Sequence, residues 1–437
     1  MPRWCSGIRG RAGVASSDDS DAGRRAVGLR PGFLMLAIML MVTACSGAAA
    51  RMPRQTVAVP ARAPQGEPIV IGGTLGLSGP DAVMAADIMA VYDLWAGDVN
   101  RGEGLLGRPV ELRIYDDQGR PESARSLYQR LIMQDDADLL LAPDGGVIDA
   151  VLGLAEGYGM LLFNGGAASA TVRSEWLVDA YTFTEPDHSR AVFEMVDALP
   201  DDRRPRRVGI VTARESSMLL VRDGRDGRGG VRRFARDRGM EIVVDAEYPD
   251  ASADLSALVE RARNADVDLF FALAPVSDAV LLARAAEQAG FAPRIYCACG
   301  AAVAGLAAWD DLGAAGNGVV STAMTWPSDD HPGIETLTSY VRSGAVHDGL
   351  PVHVTGAYAI LQVLQGAVEG AGRIDQDAIR NHLAGNTIDT VVGPITFDRQ
   401  RIPGYRAIVV QSLRDGDHVV WPPARATSQL RTPVGAG

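Results

Sequence analysis

The chain has 437 residues, of which 47% are hydrophobic and 22% charged, and its formal net charge is −12. This composition is ordinary for a globular protein, and the length suits one large or two medium domains. The acidic balance argues against nucleic acid or an anionic membrane surface as the main partner. All 42 basic residues are arginine, which excludes a phosphate-binding loop with its lysine, a Schiff-base lysine and a serine–lysine nucleophile.

The first predicted element is an uncharged apolar run over 33–42, followed by small residues and Cys45. The run is too short for a permanent membrane-spanning helix, which needs about 20 residues, but it suits a signal peptide. The tetrad Val-Thr-Ala-Cys that ends at Cys45 resembles a bacterial lipobox, whose cysteine is lipidated and becomes the new N-terminus. We therefore expect a lipoprotein signal peptide over 1–44, lipidation at Cys45, and an exported protein anchored on the periplasmic or extracellular side of a membrane. The alternative is a secretory signal in which Ala-Cys occurs by chance.

The segment ahead of the apolar run is long for a leader and contains three aspartates. We therefore expect the true start to lie downstream, for example at a non-ATG codon for Val27. The residues before Cys45 carry six arginines and three aspartates, and removing this charge of +3 from −12 leaves −15 for the rest of the chain. Residues 45–67 are rich in alanine, proline and arginine and are predicted to form a flexible tether.

From residue 68 onward, short apolar runs of strand length alternate with amphipathic stretches of helical length. The first series predicts strands over 69–71, 110–115, 138–141 and 160–163, with helices over 81–99, 122–134 and 147–158. The second series predicts strands over 207–211, 241–246, 268–273 and 294–297, with helices over 219–238, 255–262 and 278–289. A helix over 354–369 and a disordered tail over 422–437 complete the prediction. Alternating strands and helices indicate parallel sheets, so the two series predict two α/β lobes.

Five sequence blocks fall at or near the predicted strand-to-helix loops. They are IVIGGTLGLSGP over 69–80, VNRGEGLLGRPVELRIYDD over 99–117, ADLSAL over 253–258, AAEQAG over 285–290 and VGPITFD over 392–398. In this order they resemble the type I periplasmic-binding-protein superfamily, specifically its receptors for branched-chain amino acids and amides in ABC transporters. The resemblance spans 68–421.

The resemblance implies two doubly wound parallel-sheet α/β lobes joined by a three-segment hinge. Lobe one is expected over 68–183 plus 325–402, and lobe two over 184–324 plus 403–421, with crossings near 183–184, 323–324 and 403–404. The implied function is that of a substrate-binding lipoprotein of an ABC importer, with no cofactor. Such a protein captures an amino acid, an amide or a related small molecule by hinge closure and delivers it to a permease of the branched-chain amino acid type.

The resemblance also assigns candidate ligand-binding residues in the loops beyond the strands, where ligands of open parallel sheets bind. These are Ser78, Asp144, Gly145, Gly146, Ala168 and Ser169 on lobe one, and Ser217, Ser277 and Cys299 on lobe two. Ser78 and Asp144 have an alternative role as helix N-caps. The hydroxyls that hold a substrate carboxylate are missing from 142–147, and Cys299 occupies the position of the acidic residue that pairs with a substrate ammonium. Because an unpaired buried charge is costly, we expect a neutral or weakly polar ligand, such as an amide-like or aromatic compound, and not a branched-chain amino acid.

Cys297 and Cys299 form a C-x-C pair, which we expect to remain two free or buried thiols because a bridge across one residue is strained. Tyr296 and Trp326 are expected to pack in the core, with a wall of the binding site as the alternative. The six histidines are dispersed and no hydrolase motif is present, so we expect no metal site and no enzyme. The rival function is a non-transport receptor of the same fold, either a ligand sensor or a cell-envelope scaffold.

Overall fold

The computed structural model describes residues 63–79, 82–143, 147–165, 174–180, 188–224, 229–249, 254–300, 303, 306, 309, 311–327, 329–346, 350–397 and 407–433. All of these residues belong to one compact unit, Pro60–Gly437. The predicted signal peptide and Cys45 lie outside the described residues, as do the crossings expected near 183–184 and 403–404. Within the described part of the chain, no helix combines the length and the apolar character that a membrane span requires.

The first sheet contains five parallel strands in the spatial order β2-β1-β3-β4-β5. They are β1 Ile69–Leu75, β2 Val110–Asp116, β3 Leu139–Leu141, β4 Leu162–Asn164 and β5 Leu177–Asp179, with helices α1 Ala82–Arg101, α2 Pro121–Met133 and α3 Ile148–Gly157 between them. Alternate residues of the buried strand β1 serve opposite faces, as a central strand requires. Ile69 and Ile71 pack in the core that contains α1, whereas Val70 packs in the core that contains α2 and α3.

The second sheet contains seven strands in the order β14-β13-β10-β9-β8-β6-β7. These are β6 Arg207–Ala213, β7 Glu241–Tyr248, β8 Leu269–Leu273, β9 Ile295–Cys297, β10 Val320–Ala323, β13 Ile408–Leu413 and β14 Gly416–Trp421. The helices of this region are α4 Arg190–Asp197, α5 Ser216–Asp223, α6 Val231–Asp237, α7 Ser256–Asn264 and α8 Val276–Gln288. Strands β6 to β10 pair in parallel, but β13 and β14 are antiparallel additions at one edge.

The chain then returns from the second sheet to the first core. Met324, directly after β10, packs with residues of β1 and α1, and so do three further helices, α9 Ile334–Tyr340, α10 Val352–Ala371 and α11 Gln376–Leu383. The strands β11 Thr387–Thr390 and β12 Gly393–Thr396 form a separate antiparallel pair on α10. The described architecture is therefore α/β with a parallel core in each of two sheets, while the exact lobe boundaries stay a prediction.

The helix predicted over 219–238 is two helices, α5 and α6. Gly224 and Gly230 between them have φ values of +75° and +83°, which favour glycine and cannot continue an α-helix. A Cβ atom on Gly230 would lie 2.4 Å from the backbone nitrogen of Gly224. This close local approach of the backbone ends the helix, which the helical pattern of the flanking residues did not indicate.

The tail was expected to be disordered, but the structure places residues 422–433 against the second sheet. The amide of Thr427 donates to the carbonyl of Val419 at 2.8 Å. The buried side chain of Gln411 donates to the carbonyl of Arg431 at 2.8 Å and accepts from its amide at 2.9 Å. A buried amide side chain needs such partners, and the tail supplies them. Residues 434–437 lie outside the described residues.

Candidate functional site

The carboxyl ends of the parallel strands bring the candidate loops to one edge of each sheet. At the first sheet these are the segments after β1, β2, β3 and β4, and at the second sheet the segments after β6, β7, β8 and β9. Open parallel sheets bind ligands at this edge, where the N-termini of the following helices point. The candidate site is therefore expected at these two edges.

Ser78 lies after β1 and is held by Asp116 at the end of β2. The Ser78 hydroxyl donates to Asp116 Oδ2 at 2.6 Å and its amide donates to Oδ1 at 3.1 Å. The hydroxyl bond is the main reason that the pKa of Asp116 is lowered from its usual value. Ser78 is therefore engaged with the neighbouring strand end, and its role as a ligand contact stays a prediction.

Asp117, the next residue, is buried at the same edge of the sheet and connects β1 to the loop after β2. Its side chain is buried, accepts from the hydroxyl of Thr74 in β1 at 2.6 Å, and accepts from the amide of Gly119 at 2.8 Å. The pair Asp116–Asp117 therefore ties the loops after β1 and β2 together. Both residues belong to the sequence block over 99–117, but the sequence analysis assigned no role to them.

Most of the candidate residues fall where nothing can be said of their side chains. Asp144, Gly145, Gly146, Ala168 and Ser169 lie outside the described residues, and Ser217 lies in α5 without a described side chain. That these residues meet at one site stays a prediction.

On the second sheet, Ser277 lies in the first turn of α8 beside a buried carboxylate that the sequence analysis missed. Ser277 Oγ is 3.3 Å from Asp278 Oδ1, and the hydroxyl of Tyr248, at the end of β7, donates to Asp278 Oδ2 at 2.9 Å. Asp278 is only 5% exposed. These hydrogen bonds satisfy the buried side chain of Asp278. An acidic residue early in a predicted helix was the only signal in the sequence.

A buried arginine at this edge was also missed. Arg222 in α5 has a side chain that is 5% exposed and donates to Glu247 at 2.6 Å and to Asp223 at 2.8 Å. The hydrogen bond from Arg222 is the main reason that the pKa of Glu247 is lowered. Both carboxylates thus already neutralise Arg222, so this cation is not available to a ligand anion.

Cys297 and Cys299 were expected to be two free or buried thiols, and this is wrong because the structure joins their sulfur atoms in a disulfide. The Cα atoms are 5.2 Å apart, a separation that disulfides ordinarily span. Both residues are fully buried. The backbone places them together, because the amide of Ala298 donates to Val320 in β10 while that of Cys299 donates to Ala272 in β8. Cys299 therefore offers neither a charge nor a free thiol.

The remaining aromatic candidates pack as expected. Tyr296 is 1% exposed and meets the ring of Phe270 edge to face, with centroids 5.0 Å apart. Trp326 is partly buried against Ala323 and its neighbours in β13 and β14. Nearby, a Cβ atom on Gly300 would lie 2.2 Å from the backbone nitrogen of Ala274, so only glycine allows the segment after β9 to approach the one after β8. Among the described residues, no group of three or more His, Cys, Asp or Glu could hold a metal ion.

Comparisons with known proteins point in one direction. Residues 68–417 match the family model described as periplasmic binding protein. A Leu/Ile/Val-binding protein homologue of Brucella suis is 20% identical, over 85% of this chain and 96% of its own. A putative branched-chain amino acid ABC transporter protein from Silicibacter pomeroyi has a similar structure, with a TM-score of 0.70, 18% identity, and coverage of 85% of this chain and 100% of its own.

A second solved structure is similar in fold and carries a ligand. It is the solute-binding protein of an ABC transporter from Rhodopseudomonas palustris BisB5 in complex with 3,4-dihydroxybenzoic acid. Its TM-score is 0.63 at 17% identity, and the match covers 84% of this chain and 98% of that one. At such identities, the structural similarity establishes the fold alone.

Proposed function

Because this chain belongs to the periplasmic binding protein family, we propose that it is the extracytoplasmic binding component of an ABC importer. It captures a small solute between its two sheets' carboxyl edges by hinge closure and passes that solute to a membrane permease. The observation that carries the proposal is the family match over 68–417, which includes the first sheet, the second sheet up to the start of β14, and the returning segments between them. Members of this family are binding proteins and not enzymes, and the proposal includes no reaction.

We further propose that the ligand is neutral or weakly polar, for example an amide or an aromatic compound. Two observations support this choice. The position expected to pair with a substrate ammonium is Cys299, which is buried and bonded to Cys297, and Arg222 is already neutralised by Asp223 and Glu247. A zwitterion bound here would leave its charged groups without the usual partners, which is costly in a buried site. The complex with 3,4-dihydroxybenzoic acid is a precedent for an aromatic ring in this fold, although that ligand also carries a carboxyl group.

A thermal-shift screen of the purified protein against amino acids, amides and aromatic acids tests the proposal. A ligand that binds only the folded state stabilises it by about 2.7 kcal/mol at a concentration of 100 Kd. We expect a clear rise in the melting temperature with at least one amide or aromatic compound. If no member of a broad panel shifts the melting temperature, solute capture is contradicted.

We also propose that Cys45 carries the lipid anchor, on the evidence of the lipobox-like tetrad that ends at this residue. The variant Cys45→Ser should lose incorporation of labelled fatty acid and should move from the membrane fraction to the soluble extracytoplasmic fraction. Equal lipid labelling in the Cys45→Ser variant would contradict the anchor.

A non-transport receptor of the same fold is the alternative, and the uncharged Cys299 position keeps it open because it departs from the pattern of amino acid receptors. Deletion of the gene for this protein should have different effects under the two proposed functions. Loss of uptake of the bound solute supports the importer, whereas intact uptake with a lost transcriptional or motile response supports the sensor.

A further inference from the structure

The described crossing between the sheets, just after β10, is built around one buried carboxylate. Ala323 still pairs with Ile408 in the second sheet, whereas Met324 already packs in the first core. Five residues further on, the Asp329 side chain is only 8% exposed. The crossing therefore turns from one core to the other within a few residues.

Asp329 holds the turn that follows the crossing. Its Oδ2 atom accepts from the amide of Trp326 at 2.6 Å and lies 2.7 Å from the hydroxyl of Thr325. The same hydroxyl lies 3.0 Å from the carbonyl oxygen of Val391, a residue of the first core. Trp326 packs on the other side against the second sheet. The turn thus contacts both halves of the molecule.

The tail supplies the third partner of this carboxylate. Arg425 Nη2 donates to Asp329 Oδ2 and forms an ion pair with it. The tail is anchored to the second sheet two residues beyond Arg425, where the amide of Thr427 donates to the carbonyl of Val419 in β14. The amide of Arg425 itself donates to the carbonyl of Pro422 and closes a turn within the tail. An ion pair of low exposure with several hydrogen bonds fixes geometry more strongly than an exposed pair.

We propose that the C-terminal segment over 422–433 is a strap that clamps the crossing after β10 and restricts the movement of the two sheets relative to each other. Arg425 is the contact through which it acts, because it connects a segment anchored on the second sheet to the turn that contacts the first core. This inference rests on the hinge movement proposed above, and it adds a device that sets how freely the hinge moves.

The test compares Arg425→Gln with the full chain of natural sequence, without ligand. We expect several-fold faster amide hydrogen exchange in the peptide over 324–330, because Asp329 loses its cationic partner and holds the Trp326 amide less firmly. We also expect an increased radius of gyration in X-ray scattering, because a looser crossing allows the halves to separate. Arg425→Lys keeps the positive charge and should show smaller changes in both measurements than Arg425→Gln. Asp329→Asn should show the same changes as Arg425→Gln.

Arg431→Gln is the matched control, since it removes the same charge from the same tail. Arg431 forms a more exposed pair with Asp415 at 3.7 Å, within the second half of the molecule, so neither measurement should change. Unchanged exchange over 324–330 in Arg425→Gln, or an equal change in Arg431→Gln, would overturn the strap. Faster exchange with unchanged scattering would also overturn it as a hinge device. Neither readout needs a ligand, so failure of the solute screen is a separate result.

Discussion

At the scale of single residues, His188 shows how burial changes the pKa of a side chain. Its Nε2 atom lies 2.8 Å from the hydroxyl of Thr322 in β10. Burial lowers the pKa of His188 from 6.5 to about 3, because a charged imidazole would lose its hydration. His188 is therefore neutral in the folded protein at pH 7, and the acidic composition of the chain did not indicate this.

We expect His188 to make the folded state less stable in mild acid. The unfolded chain takes up a proton on this histidine near pH 6.5, whereas the folded chain resists protonation down to about pH 3. Above pH 6.5, His188 therefore causes no change of the free energy of unfolding with pH. Between pH 6.5 and about pH 3 the free energy of unfolding falls by about 1.4 kcal/mol for each unit that the pH is lowered. Urea unfolding of His188→Gln between pH 6.5 and pH 4 should show a shallower decline than the natural sequence. Parallel curves would contradict the prediction.

At the scale of elements, α10 is the most completely buried helix of the first core. Twelve of its residues, between Val354 and Val368, are buried, and they cover nearly every side of the helix. The sequence predicted a helix over 354–369 from this run, and the structure begins it two residues earlier, after Pro351. Proline fits just before a helix because it needs no backbone donor there.

Leu361→Ala in α10 should lower the free energy of unfolding by about 2 to 5 kcal/mol, because Leu361 is fully buried and the change leaves a cavity. Chemical denaturation measures the loss. Leu281→Ala is the control with identical chemistry, since Leu281 in α8 is 38% exposed, and it should change stability far less. Similar losses in the two variants would show that the packing of α10 is not as described.

A local bond fixes the start of α11. Asp375 is its N-cap, and Asp375 Oδ1 accepts from the amide of Ala378 at 2.7 Å. Asp375→Ala should lower the free energy of unfolding by about 1 kcal/mol, while Asp375→Asn, which keeps an acceptor oxygen, should lose much less. Thermal or chemical unfolding of the two variants measures the difference. Equal losses would indicate that charge, and not the cap, is responsible.

At the scale of the whole molecule, two sheets present their strand ends as candidate binding edges, and the tail connects the second sheet to the crossing. At the second edge, Arg222 is paired with Glu247, and Asp278 accepts a hydrogen bond from the hydroxyl of Tyr248. A ligand that needs strong ionic partners would have to displace such bonds. The proposed ligand class was expected from Cys299 and from the missing hydroxyls over 142–147, and the pairing of Arg222 in the folded chain supports it.

Leucine should therefore bind weakly or not at all. Titration of the purified protein with leucine by calorimetry should give no binding in the low micromolar range, because the usual partners of its ammonium and carboxylate groups are missing from the expected positions. An amide or aromatic compound identified by thermal shift is the positive control on the same sample. Tight binding of leucine would refute the proposed ligand class.

Several features followed from local patterns and short motifs. The alternation of strands and helices predicted the parallel sheets, because a repeating pattern of buried residues depends on the period of the local backbone. The blocks over 69–80 and 99–117 indicated the family, and the family match confirms it. The break at Gly224 and Gly230 was not predicted, because the apolar pattern on either side is helical and the break depends on the positive φ values of the two glycines.

The sequence by itself determined the fold class and the family, since both depend on residues close together along the chain. Only the tertiary structure decided which carboxylates form hydrogen bonds or ion pairs within the protein, that Cys297 and Cys299 are joined, and that the tail packs against the second sheet. Asp329 and Arg425 are 96 positions apart, and no local period relates them. Partnerships of this kind depend on distances in space, which appear only when both sheets and the segments between them have folded.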